Sequence, residues 1–279
     1  MAATIVVVGR KRVPGARRLL AGYAVTAAAA LCCAKTEHRG ASPGLPRVRA
    51  LAPLACAALL FYPSGAQSLA LHGRLLDEEM LAAERRVLRR PFNLLLDSVA
   101  SRPLNEALTA CYSSFYLYFL VPPAYLMAQG RDRDLERYIL AFCLAQYTCY
   151  LGFASLPLAG PVTALRGAFS TPQLSGYLLT SAQQWLMERA DPPGTCFPSS
   201  HVAGAWAATL VARRAVPRSA ARALTALTCA LTCSVVYCRY HYVVDALAGV
   251  AVAHLAYYGA AHILDRPSAP WRTAPLLDI

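Results

Sequence analysis

Residues 242–263, YVVDALAGVAVAHLAYYGAAHI, form an apolar run of 22 residues with one carboxylate, Asp245, near its start. A helix needs roughly 20 mainly apolar residues to cross the hydrocarbon core of a bilayer, so the run reads as a spanning helix. His254 and His262 lie along it without an acidic neighbour and read as structural. Five more stretches qualify on the same ground: 50–70, 107–128, 138–159, 199–216 and 220–238. The stretch at 199–216 has the shortest apolar core, His201 to Val211, and must lean on its neighbours. Pro122 and Pro123 are expected to kink the second span, which is tolerable where other helices satisfy the freed carbonyls. Composition agrees: of 279 residues, 57% are apolar and only 15% charged, against about 25% charged in an ordinary soluble domain. Disordered and fibrous proteins are excluded, and a cytosolic enzyme is a poor fit. The expectation is an all-α polytopic membrane bundle of six spans over 50–263, preceded by a basic segment over 1–49 and followed by a tail over 264–279.

Two further segments differ from the spans. Leu19–Ala34 is alanine-rich and short, and follows Arg10, Lys11, Arg12, Arg17 and Arg18. It reads as a signal peptide, a weak extra span or an interfacial helix, and the sequence leaves the three open. In 72–106, Leu75, Leu76, Met80, Leu81, Val87 and Leu88 recur among Asp77, Glu78, Glu79, Arg85, Arg86, Arg89 and Arg90. That periodicity predicts an amphipathic helix lying on the membrane surface, ended or re-aimed at Pro91.

Charge orients the bundle. The chain carries 27 basic and 15 acidic residues, a net +12. With six spans, the basic segment 1–49 and the Arg213, Arg214, Arg218 and Arg222 connection fall on one face and account for the whole excess. The opposite face is neutral. By the positive-inside rule both termini are cytoplasmic, and nucleic acid gives way to the membrane bilayer as the partner. Only Lys11 and Lys35 are lysines, so an anion bound in the body of the protein meets arginine, histidine or backbone N–H groups. The ten cysteines include no CxxC pair and read as packing thiols. A Cys196–Cys238 disulfide is the alternative on an oxidising face. Tyr112, Tyr116, Tyr118, Tyr147 and Tyr150 read as packing and interface anchors.

Three polar clusters sit at helix ends, all on the neutral face: Gly160-Pro161 followed by Arg166; 191–201, DPPGTCFPSSH; and 237–245, YCRYHYVVD. Ionisable groups at membrane depth are costly, and their convergence points to function. His241 and Asp245, four apart, share a helical face, so the carboxylate can fix the tautomer and leave the other ring nitrogen a better nucleophile. A helix-capping pair is the plainer reading of the same spacing. His201 stands in the first turn of a helix capped by Ser199 or Ser200, where N–H groups and the dipole favour an anion such as phosphate and a histidine can protonate a leaving oxygen.

Phe-Pro-Ser-Ser-His at 197–201, then His-Tyr-Val-Val-Asp at 241–245 followed by Ala-Leu-Ala-Gly, resembles the type-2 phosphatidic acid phosphatase superfamily, which shares its core with vanadium haloperoxidases. The resemblance implies a phosphohistidine mechanism: His241 the nucleophile, Asp245 its partner, His201 the general acid. It also departs from the superfamily's usual pattern. The first motif's lysine is missing, Ser234 and Val235 stand where Ser-Arg is usual, and Ser200 replaces a glycine. Gly-Pro after the third span and His-Tyr-x-x-Asp are closer to the inositol phosphorylceramide synthases and their bacterial relatives. Phosphate oxygens would then be held by Arg239, Arg166 and the N–H groups around Ser199 and Ser200. The implied function is a membrane lipid phosphatase or phosphotransferase acting on a lipid phosphate substrate at the non-cytoplasmic face, with no cofactor and no metal. A head-group transferase specifically, or a transporter or scaffold retaining the fold, are the alternatives. A vanadate-dependent peroxidase has no need of six spans.

Overall fold

The computed structural model describes residues 51–190 and 192–265, with Leu20, Tyr23 and Ala24. The basic segment 1–49 but for those three residues, Asp191, and the tail beyond 265 lie outside them, and with them the question of Leu19–Ala34. The described residues contain helices and no strand. In order these are α1 (Ala52–His72), α2 (Asp77–Leu88), α3 (Phe92–Asp97), α4 (Arg102–Ser113), a 3-10 turn (Ser114–Phe119), α5 (Val121–Ala128), α6 (Asp132–Ser155), α7 (Pro161–Ala164), α8 (Leu178–Ala190), α9 (Ser200–Ala212), α10 (Arg218–Tyr237) and α11 (Val243–Asp265).

Four of the described helices, α1, α6, α10 and α11, are long and apolar enough to cross a membrane. They expose Leu59, Leu151, Leu247 and Leu255, side chains that water would penalise and lipid would not. The other two expected spans take different forms. The stretch at 107–128 is not one kinked helix: α4 gives way to the 3-10 turn before the prolines, and α5 restarts with Pro122 and Pro123 in its first turn. Proline disfavours helical backbone in the residue before it and is tolerated at a helix start, so the break falls ahead of the pair. The Tyr118 carbonyl within the break accepts from the buried Tyr138 hydroxyl.

The stretch at 199–216 yields only the 13 residues of α9, which sits at the centre of the bundle against α6, α10 and α11. Its residues are small and nearly all buried: Ala203, Gly204, Ala205, Ala207, Ala208, Val211 and Ala212. Small residues let helix backbones approach where hydrophobic burial gives no drive between helices. A Cβ on Gly204 would come 2.4 Å from Gln146 Nε2, and one on Gly249 of α11 would come 2.7 Å from the Ser199 carbonyl oxygen. Thr209, Thr228 and Tyr118 form a buried chain of hydrogen bonds, 2.6 Å at each link, tying α9 to α10 and the 3-10 turn.

The 72–106 segment is not a lone surface helix. Arg89 (φ +61) and Pro91 fold it into α2 and α3. The buried face of α2 carries Asp77, Leu81 and Glu84, spaced for one side of a helix, while Arg85, Arg86, Arg89 and Arg90 stay exposed. Leu81 joins Leu158, Leu165, Phe169, Cys196 and Tyr242 in a cluster apart from the main core. The two helices therefore close the end of the bundle where the three polar loops meet.

Candidate active site

Two of the three loops, the Gly160-Pro161 loop and the 237–245 loop, are positioned by polar side chains from α2 and α3. Asp77 accepts from the Ala159 N–H (2.8 Å), the Gly160 N–H (2.9 Å) and the Tyr242 hydroxyl (2.9 Å), joining the Gly-Pro loop to the residue after His241. Gly160 holds φ +88, and a Cβ there would meet the Tyr240 carbonyl oxygen at 2.7 Å, so glycine serves both the turn and the contact. Asn93 Nδ2 donates to the Val236 carbonyl (2.8 Å) and the His241 carbonyl (3.1 Å). Asp97 pairs with Arg239 and accepts from the Ser170 N–H (2.7 Å). The sequence reading missed all three acceptors and donors.

Within this frame the two histidines meet. The rings of His201 and His241 lie 6.3 Å apart, centroid to centroid, although they come from different elements. His201 stacks on Tyr112 (4.8 Å) and tilts against Phe115 (4.3 Å), and its Nε2 lies 3.1 Å from the Tyr112 hydroxyl. Tyr112 is thus part of the histidine pocket and more than a packing anchor. His241 stands in the turn before α11, with Asp245 in the helix's first turn, so the two meet at a helix start rather than along a helix. His241 Nδ1 is 3.5 Å from Asp245 Oδ2. The same oxygen accepts from the Tyr242 N–H at 2.8 Å, so Asp245 also caps α11, as the plainer reading of the spacing expects. The Cys196 thiol joins this group, 2.9 Å from Asp245 Oδ2 and 3.4 Å from His241 Nδ1. Cys196 and Cys238 share no disulfide: one points at Asp245, the other at Thr109.

The expected phosphate-binding groups divide. Ser199 caps α9, its hydroxyl accepting from the Val202 N–H at 3.4 Å, while its own N–H donates to the Asp245 carbonyl at 3.1 Å. Ser200 is buried beside it, and its carbonyl accepts from Gln146 at 3.0 Å. Arg239 is turned away from the histidines: its guanidinium is 2% exposed, pairs with Asp97, donates to the Thr171 carbonyl (2.8 Å) and lies 4.0 Å over the Phe169 ring. Burial pushes the Asp97 carboxyl up, but the Ser170 N–H and Arg239 outweigh it and hold the group below the ordinary carboxylate value. Arg166 is exposed.

The histidine pocket is narrow, about 10 Å³, lined by His201, His241, Cys196 and Tyr112 among others, enough for about one water. A cavity of about 330 Å³ adjoins it, lined by Arg166 and Arg239. Ala159, Met187 and Tyr240 border both, so these three residues form the wall between the histidines and the arginines.

The sequence profile of the PAP2 superfamily matches residues 78–259, from the first turn of α2 to near the end of α11. No curated protein and no solved structure matches the chain. The matched range covers most of the chain and takes in both histidines and Asp245, together with the α2–α3 segment that positions their loops. This helical membrane protein belongs to the PAP2 superfamily.

Proposed function

We propose that the protein is an integral membrane lipid phosphatase or phosphotransferase that works through a phosphohistidine on His241. The observation that carries this reading is the approach of His201 and His241 across one pocket, with Asp245 at the Nδ1 side of His241. Superfamily members are generally phosphatases or phosphotransferases, and the chemistry follows from the residues. With its proton on Nδ1 and held toward Asp245, His241 presents a lone pair on Nε2 for attack at phosphorus. Apo contacts of this kind are often long and tighten in the substrate complex. As the phosphorus–oxygen bond breaks, His201 donates a proton to the leaving alkoxide. Water, or a lipid alcohol, then gives its proton back to His201 and attacks the phosphohistidine, freeing His241. The start of α9 supplies the positive field for the phosphoryl oxygens, while Arg166 lines the adjoining cavity and Arg239, neutralised by Asp97, holds its loop in place. No metal or cofactor is needed in these steps.

The broken α4–α5 unit and the short α9 complete six crossings of the membrane in this reading. The 50–263 domain then has both termini on the basic, cytoplasmic side and the site on the opposite face. The 330 Å³ cavity beside the histidines favours the transferase over the hydrolase, because a second substrate needs room that water does not. Gly160-Pro161 and the His241-Tyr242-x-x-Asp245 pattern support kinship with the inositol phosphorylceramide synthase-like branch.

The test uses the full chain in detergent, offered phosphatidate, an isoprenyl pyrophosphate, or phosphatidylinositol plus ceramide. Released phosphate, new lipids and acid-labile labelling of the protein are measured. Turnover by the wild type, lost in His201→Ala and His241→Ala, is expected. A wild type inert on all three, or a His241→Ala variant as active as the wild type, refutes the catalytic reading in favour of a transporter or scaffold.

A further inference from the structure

Cys196 has no part in the phosphoryl transfer, yet its thiol sits between the two groups that must cooperate in it. Cys196 Sγ, His241 Nδ1 and Asp245 Oδ2 are separated by 2.9, 3.4 and 3.5 Å, and all three residues are buried. The Tyr240 carbonyl oxygen lies 3.3 Å from the same sulfur. Ligands around tetrahedral Zn²⁺, at about 2.3 Å for sulfur and about 2.0–2.2 Å for nitrogen or oxygen, stand roughly 3.4–3.6 Å from one another. Two of the three spacings already match, and the sulfur–oxygen edge has to open by roughly 0.7 Å on the same geometry.

A second observation points to a cation. Asp245 Oδ1 is buried with no hydrogen-bond partner, and the Glu84 carboxylate on α2 is buried with only a weak approach from the Phe92 N–H. Burial pushes the Glu84 carboxyl up; the Phe92 N–H opposes that, and the Asp245 charge adds to the rise. The neighbourhood therefore holds more buried acceptor oxygens than donors, which is costly unless a positive charge is shared among them.

We propose that Cys196, His241 and Asp245 form a binding site for a thiophilic divalent cation, with Zn²⁺ the best fit, and that its occupation switches the enzyme off. The proposal rests on the catalytic reading above for its consequence, though not for the binding itself. On binding, the thiol loses its proton to solvent, and thiolate plus carboxylate neutralise the ion, so no net charge is buried. A water completes the tetrahedron. The metal takes the Nδ1 lone pair, which obliges the imidazole proton to move to Nε2. The nitrogen that must attack phosphorus then has no lone pair to offer, and Asp245 is no longer available to orient the ring.

Full chain in detergent is titrated with Co²⁺ as a spectroscopic probe and then with Zn²⁺, with metal per chain measured directly. One equivalent is expected, with a thiolate-to-cobalt charge-transfer band that Zn²⁺ abolishes. Cys196→Ala is expected to lose that band and to weaken Zn²⁺ binding by more than the roughly 10–100-fold that an outer-shell change costs, and whatever turnover it has is expected not to fall when Zn²⁺ is added. His201→Ala, which changes no ligand, is expected to lose turnover and bind the metal as the wild type does. A wild type without the band, or a Cys196→Ala variant that keeps it, overturns the proposal. Because the band and the stoichiometry are read without turnover, a protein inert toward every phosphate ester still tests the metal site.

Discussion

Asp77→Ala is the most revealing single change, because one carboxylate holds the Gly160 loop and Tyr242 in register with His241. Its loss strips partners from two backbone N–H groups and one hydroxyl, at contacts of 2.8, 2.9 and 2.9 Å. Hydrogen bonds to a charged group contribute about 1.5–3 kcal/mol each, and an abandoned buried donor costs about 1–3 kcal/mol. Three such losses do not add in full, since Ala159 borders the larger cavity and water from there can serve its N–H. A net destabilisation of about 3–4 kcal/mol is expected on that basis. Tyr242→Phe, which removes one donor and leaves both N–H groups satisfied, should cost about 1 kcal/mol. The kinetic effect should exceed the thermal one: with Tyr242 released, His241 loses its lateral support, and turnover should fall while substrate affinity changes little. Thermal unfolding in detergent and phosphate release, run on both variants, check this. If Asp77→Ala unfolds with the wild type and turns over at its rate, the carboxylate is not the clamp described above, and α2 is an ornament of the bundle.

Three further outcomes are expected. Asp97→Ala leaves the Arg239 guanidinium buried without its counter-ion, a change that costs about 3–5 kcal/mol in buried pairs; the low end applies here because the cavity hydrates one side, and unfolding in denaturant together with a double change at Arg239 measures it. Burial would raise the Glu106 carboxyl, but the Thr180 hydroxyl and the N–H groups of Tyr177, Leu179 and Thr180 at the start of α8 pull it down from the ordinary 4.5 to about 2. Its support for α8 is therefore complete above 4.5 and fades as the pH falls toward 2; hydrogen exchange over 177–190 should loosen across that window in the wild type and show no such step in Glu106→Gln. Gly249→Ala drives a methyl to 2.7 Å from the Ser199 carbonyl oxygen, and overpacking of this kind costs about 1–3 kcal/mol; the variant should lose stability and turnover together, whereas unchanged turnover would show that α9 and α11 have room to part.

The loops that meet in the site were legible in the sequence because each carries its own signal: a histidine at a helix start, a histidine and an acid four apart, a glycine before a proline. The long apolar runs were equally plain at α1, α6, α10 and α11. What stayed hidden depends on partners far along the chain. Asp77 looked like an ordinary acid in the first turn of an amphipathic helix, a place where acids are common, and only the contact with Ala159, Gly160 and Tyr242 reveals its task. Asn93 and Asp97 bracket the short run Leu94–Leu96 and look like ordinary solvent-facing side chains until α3 is seen packed on the end of α10. Tyr112 was read by its ring, and its hydroxyl mattered more. The form of the second span was half visible, since the proline pair announced a disturbance whose position only the backbone could decide.

The shortness of α9 has a consequence for where the proposed chemistry would happen. Thirteen residues rise about 20 Å, while the hydrocarbon layer is about 30 Å thick. In the proposed orientation, with the Arg213 and Arg214 end at the cytoplasmic boundary, His201 at the other end would stop about 10 Å short of the far interface. A phosphate group floating at the level of its neighbours would never touch it. A lipid phosphate, the substrate proposed above, would have to be drawn down, head first, into the bundle, and a thicker bilayer would make that descent longer. Rates measured in membranes of graded acyl length would then report on depth as much as on chemistry.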